Sequence, residues 1–133
     1  MILVDTNVLI DLIQNDPVWA GWSQHQLDAA ARRDAIAIND IVYAELSVYY
    51  REIEEVDQVI ERARIAVAPI PRAALFLAGK AFQRYRLAGG AKTGVLADFF
   101  LGAHAVITNS PLITRDTRRY RAYLPGIELI APD

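Results

Sequence analysis

Met1-Ile2-Leu3-Val4-Asp5-Thr6-Asn7-Val8-Leu9-Ile10 opens the chain, and its reading decides the fold class. Ile2-Leu3-Val4 is a short apolar run that meets a carboxylate, a hydroxyl and an amide before apolar residues resume. Such a run predicts a strand buried on both faces, as in a parallel sheet. Asp5 would then stand at the strand's carboxyl end, where open α/β sheets place their ligand sites. It is the one charge among these ten residues. A carboxylate in that company is costly unless something pairs with it, so the rest of the chain has to supply partners.

Working outward, polar closures recur. Thr6 to about Gln14 reads as a short helix ended by Asn15-Asp16-Pro17. Asp16 can cap and Pro17 suits a first helical turn, which predicts a helix from Pro17 to Arg33. Ala35-Ile36-Ala37-Ile38 is a second short strand closed by Asn39-Asp40, with Asp40 read as the cap of a helix to about Tyr50. A helix from about Ile53 to Arg64 follows, its outer face acidic. Val67-Ala68-Pro69-Ile70 gives a weak third strand whose proline points to a sheet edge. Pro71 to Leu87 is helical, Ala88 to Lys92 a loop, and Thr93 is read as the cap of a very apolar helix to about Ile107. Leu112-Ile113-Thr114 is a fourth strand, followed by a basic helical turn through Tyr123 and a last strand over Ile127 to Ile130. Strands alternating with helices predict an α/β fold with a mostly parallel sheet covered on both faces.

The 133 residues suit a single domain spanning 1–133, and 53% hydrophobic content predicts an extensive core or a subunit interface. Without cysteine, neither disulfides nor a zinc–thiolate site is possible. The longest apolar stretches carry charges, so no membrane span is expected, and the amino terminus lacks the pattern of a signal peptide; the expected location is cytoplasmic. Charge is segregated along the chain. Residues 1–66 hold 12 acids and 5 bases (−7), residues 67–133 hold 4 acids and 9 bases (+5). Twelve of the fourteen bases are arginine, the side chain suited to bidentate phosphate contacts.

Three more acids stand in apolar surroundings. Glu45 is the one charge from Ile41 through Tyr50, Asp98 lies alone between Lys92 and Arg115, and Asp116 follows the fourth strand as Asp5 follows the first. All four can converge on one edge of a parallel sheet. Converging carboxylates repel unless cations neutralise them. An all-oxygen set, with Thr6, Asn7 and Thr114 as helpers, selects Mg²⁺ or Mn²⁺ over zinc. Sites of this kind typically serve phosphodiester cleavage with one or two metals. Each acid also has a plain structural role open to it: Asp5 and Asp116 as helix caps, Glu45 as a surface residue.

The set Val4-Asp5-Thr6-Asn7, Ala44-Glu45-Leu46, Ala97-Asp98-Phe99 and Ile113-Thr114-Arg115-Asp116 resembles PIN-domain ribonucleases, specifically toxins of the VapC type. The likeness covers nearly the whole chain. It implies a three-layer α/β/α fold around a five-stranded sheet and one or two Mg²⁺ or Mn²⁺ ions on Asp5, Glu45, Asp98 and Asp116. Thr6 and Asn7, or Thr114 and Arg115, would stand in support. It further implies cleavage of RNA (tRNA or rRNA) to a 5′-phosphate and a 3′-hydroxyl. A small cognate antitoxin as partner, a homodimer, and a toxin–antitoxin hetero-oligomer are also implied. Asn39-Asp40 departs from the Ser or Thr cap common in such proteins, without touching the four acids.

Arg84, Arg86 and Lys92 beside the glycine loop, and Arg115, Arg118 and Arg119 after the fourth strand, are candidate RNA-phosphate contacts, with ordinary solvation as the alternative for each. Gly89 to Thr93 fails as a phosphate-binding P-loop because Ala91 stands where glycine is needed. His25 and His104 read as structural. A phospho-acceptor receiver is disfavoured by the lone Asp5 and by Pro71-Arg72 after the third strand. A non-catalytic PIN-like module binding RNA or protein remains the alternative to the nuclease.

Overall fold

A computed structural model describes residues 1–132. Ile2–Val4 (β1) and Ile36–Ile38 (β2) are buried throughout, as uninterrupted apolar strands must be when covered on both faces. Ile65–Val67 (β3), Leu112–Ile113 (β4) and Leu129–Ile130 (β5) complete a sheet of order β3-β2-β1-β4-β5 among the described residues. The pairings are all parallel: Leu3 lies opposite Ala37 on one side and Leu112 on the other. Parallel neighbours need long crossovers, and helices supply them. These are α1 (Thr6–Ile13), α2 (Ala20–Arg33), α3 (Asp40–Ser47), α4 (Ile53–Arg62), α5 (Arg72–Leu87), α6 (Val95–Thr108) and α7 (Arg118–Tyr123). Together they give the three-layer α/β/α arrangement, with β1 at its centre and a core built on Leu3, Val4, Ile38, Leu112, Ile113 and Phe99.

From β1 the chain moves one way to β2 and β3, then returns to the other side of β1 for β4 and β5. The sheet order therefore reverses between β1 and β4, the point where a crevice opens at the strands' carboxyl ends. Asp5 follows β1 directly and Asp116 stands three residues beyond β4.

Several boundaries differ from those expected. The third strand is Ile65–Val67 rather than Val67–Ile70; it pairs through Ile36–Ile65 and Ile38–Val67, and Pro69, having no N–H, lies just past the last ladder position. Its edge position is as expected. Asp16 does cap, accepting from the Val18 and Trp19 N–H groups at 2.9 and 2.8 Å, but Pro17 to Trp19 form a turn and α2 begins at Ala20. Asn39, not Asp40, caps α3; its Oδ1 accepts from Ile41 and Val42. Thr93 makes no side-chain cap, and the residue preceding α6 is Gly94. Asn109 closes α6 in the left-handed conformation at φ 50°, which asparagine tolerates better than most residues.

Candidate functional site

Asp5 occupies the cap position of α1, yet its carboxylate makes no capping bond. It is buried and turned inward, where Oδ2 accepts from Thr114 Oγ1 and from the Tyr120 hydroxyl, each at 2.8 Å. Glu45 rides on α3, whose start the buried Asn39 fixes; Thr6 Oγ1 donates to Glu45 Oε1 at 2.7 Å. Asp98 lies in the first turn of α6 and is half-buried. Asp116 precedes α7, its carboxylate accepting from the Arg118 N–H at 3.3 Å, and its own N–H donates to Thr114 Oγ1 at 3.1 Å. Asn7 ties the two strand ends together, donating to Thr114 Oγ1 at 3.4 Å and accepting from the Arg115 N–H at 3.2 Å.

Charge couples the four acids. Burial pushes the Asp98 carboxyl up to about 6, and Asp5, Glu45 and Asp116 each push it in the same direction while Arg119 pulls it down. Burial likewise raises Asp5, against the hydrogen bonds from Tyr120 and Thr114. The Tyr120 hydroxyl, buried beside these acids, is held well above its ordinary range and so remains a neutral donor.

The acids do not share one bowl. Asp5, Glu45 and Asp98 line a cleft with Thr6, Asn7, Ile10, Val48 and Tyr49. Asp116 opens into the neighbouring cleft with Lys92, Arg118, Arg119, Tyr85 and Tyr123. Arg119 stands between them, its Nη1 3.1 Å from Asp98 Oδ2 and 4.0 Å from Asp116 Oδ2.

The basic residues named from the sequence part company. Lys92, Arg118 and Arg119 share the second cleft. Arg115 does not join them: it forms a two-pronged pair with the buried Asp11 at 2.7 and 2.9 Å and lies over the Trp19 ring. Arg84 is turned to the Tyr123 carbonyl at 2.8 Å, and Arg86 lies over the Phe82 ring. Arg115 is thus engaged within the fold, while Arg84 and Arg86 make these contacts from exposed positions.

Three contributors stand outside the residues singled out from the sequence. Tyr120 belongs to a basic helical turn, and nothing in its neighbourhood along the chain hints at the bond to Asp5. Asp11, between Ile10 and Leu12, carries the same signal as the four acids; Ser23 Oγ also donates to it at 2.7 Å. Gly102 leaves the space that Tyr120 and Leu124 fill: a Cβ there would lie 2.8 and 2.6 Å from their side-chain carbons.

A hard divalent cation fits this donor set by atom type and by charge. All the donors are oxygen, and Arg119 offsets one of four mutually repelling carboxylates. Among the described residues, no three acidic or histidine side chains stand close enough to close on one ion as they are oriented. Each is held by its own donor instead, so some would have to turn. The residues that could hold an ion are Asp5, Glu45 and Asp98, with Asp116 beyond Arg119.

A family model described as PIN domain matches residues 2–124. The fold is similar to that of VapBC2 from Rickettsia felis bound to a DNA fragment from their promoter, at TM-score 0.75 and 22% identity over 100% of both chains. It is similar also to a toxin-antitoxin complex from Klebsiella pneumoniae, at TM-score 0.70 and 24% identity over 96% of this chain and 95% of that one. FitAcB from Neisseria gonorrhoeae gives TM-score 0.66 and 21% identity over 97% and 96%. Among curated proteins, none matches.

Proposed function

The chain belongs to the PIN-domain family, and from that premise we propose that it is a divalent-metal-dependent endoribonuclease acting as the toxin of a toxin–antitoxin pair. The observation that carries this is the convergence of Asp5, Glu45, Asp98 and Asp116, from four separate elements, on the switch point of the sheet. Among the described residues one guanidinium, Arg119, answers Asp98 and reaches toward Asp116, and no cation pairs with Asp5 or Glu45. PIN-domain toxins are generally nucleases, and the family usually uses divalent metals.

A bound Mg²⁺ or Mn²⁺ supplies the acidity that makes water a nucleophile near neutral pH and offsets charge gathering on the phosphate. The chain's own residues do the rest. Thr6 orients Glu45, while Thr114 and Tyr120 orient Asp5 and keep it from turning outward freely. Lys92 and Arg118 hold backbone phosphates in the cleft beside Asp116, and Tyr85 and Tyr123 line its wall, where a base can stack. A cognate antitoxin and a second copy of the chain are the partners this reading calls for. The antitoxin is supported by the likeness in fold to VapBC, FitAcB and a toxin-antitoxin complex.

Cell growth on induced expression of the wild type beside Asp98→Asn, with total RNA from both on a gel, tests the proposal. Arrested growth and a discrete cut RNA with wild type alone are expected. Equal growth and intact RNA in both, with both proteins soluble and folded, would leave the non-catalytic module as the better reading.

A further inference from the structure

The Asp98–Arg119 pair has features that an ordinary surface ion pair lacks. Both partners are about one-third exposed, 33% and 29%, so solvent screens them only in part. The backbone of Arg119 is held at the site, because its neighbour Tyr120 is buried at 2% exposure and bonded to Asp5. The α7 helix thus presents a guanidinium to the acids from a fixed backbone. Arg119 also reaches toward Asp116, spanning the two clefts, and it lines the one that holds Lys92 and Arg118. A displaced guanidinium therefore has somewhere to go without leaving its helix.

We propose that Arg119 is a built-in competitor for the metal: it holds the Asp98 carboxylate, and a divalent cation binds there by displacing it. The inference rests on the metal reading above. Two cations drawing on one carboxylate repel each other, so whichever holds Asp98 weakens the other's hold. Arg119 also relieves part of the repulsion among the four acids, which lets the fold carry them before an ion arrives. The chain thereby trades metal affinity for tolerance of its own site.

The test is Mn²⁺ binding to the full chain by isothermal titration calorimetry, after stripping with a chelator, at fixed pH and ionic strength. Arg119→Gln is expected to bind Mn²⁺ roughly 3- to 10-fold more tightly than wild type, the range of a partly screened charged pair. It should also unfold at lower temperature when stripped. Arg121→Gln removes the same charge from an exposed position on α7 and should match wild type; Asp98→Asn should lose the site. Should Arg119→Gln fail to fold, Arg119→Met serves in its place, keeping the aliphatic stem. Affinity in the Arg119 variant equal to or weaker than wild type overturns the proposal, as does equal tightening by Arg121→Gln. If wild type and every variant ignore Mn²⁺, the metal reading itself falls and takes this one with it.

Discussion

Burial raises the Asp98 carboxyl to about 6 and lowers the His104 imidazole, so the two side chains pull stability in opposite directions as pH changes. Between the ordinary 3.8 and about 6 the folded Asp98 holds a proton that the unfolded chain has released, so stability falls as pH rises through that window. His104 is buried on α6 against Asn39, 3.3 Å away, and Asp40 only partly offsets the loss of solvent. Below its ordinary 6.5 the unfolded chain takes up a proton that the folded imidazole resists, so this contribution is lost as pH falls. Urea midpoints of the stripped protein from pH 4 to 8 separate the two. Asp98→Asn should lessen the loss on raising pH, leaving the share of Asp5, and be the more stable protein at neutrality; His104→Gln should remove the His104 share of the loss on lowering it. Profiles parallel to wild type in both variants would contradict these assignments. At this scale the sequence is legible where it isolates a charge among apolar neighbours, which picks out Asp5, Glu45 and Asp98; Asp116, set among arginines, is marked only by its place after a strand. Ile10-Asp11-Leu12 has the same character, and there the Arg115 partner lies 104 residues away. Local composition reveals that a carboxylate is buried; whether a cation already answers it is a long-range fact.

Elements are legible in kind more than in extent. The apolar runs of β1, β2 and β4 and the polar closures after them read directly, because strands covered on both faces leave an unbroken apolar signature. The third strand lies two residues earlier than its composition suggests, since its outer positions Ala66 and Val67 are exposed at a sheet edge, where burial no longer marks the strand. The cap of α3 falls on a neighbour for a similar reason: Asn39 and Asp40 are both competent, and backbone geometry chose the amide. Packing between α6 and α7 is not legible at all. Gly102→Ala tests it, since the added methyl would overlap Tyr120 and Leu124. A loss of about 1–3 kcal/mol is expected from overpacking, read as a lower thermal midpoint, together with weaker cleavage as the Tyr120 hydroxyl leaves Asp5. A variant as stable and as active as wild type would mean that α7 can step aside at no cost.

On the scale of the molecule, the charge split along the chain becomes a split across the sheet. Residues 1–66, net −7, supply β1, β2, α1 to α4 and the first two residues of β3, while the +5 remainder supplies the last residue of β3, β4, β5 and α5 to α7. The candidate site lies where the two halves meet, and on the proposed nuclease reading an RNA strand rests on the basic side while its reacting phosphate faces the acids. Binding of a labelled single-stranded RNA to an Asp98→Asn chain should therefore weaken with added salt. Replacing Lys92 and Arg118 by alanine should flatten that dependence by roughly 0.7 in slope for each phosphate no longer neutralised. Anisotropy titrations over a range of salt would measure it, and an unchanged slope would move the strand elsewhere. The sequence discloses the asymmetry of charge but not its axis, which depends on the order of strands. That order has one more consequence. Asp5 is made 109 and 115 residues before its two hydrogen-bond donors, Thr114 and Tyr120. No translation product that stops short of Tyr120 can assemble the site's framework. On the proposed ribonuclease reading, the messenger is therefore safe from the nascent chain until Tyr120 has been made.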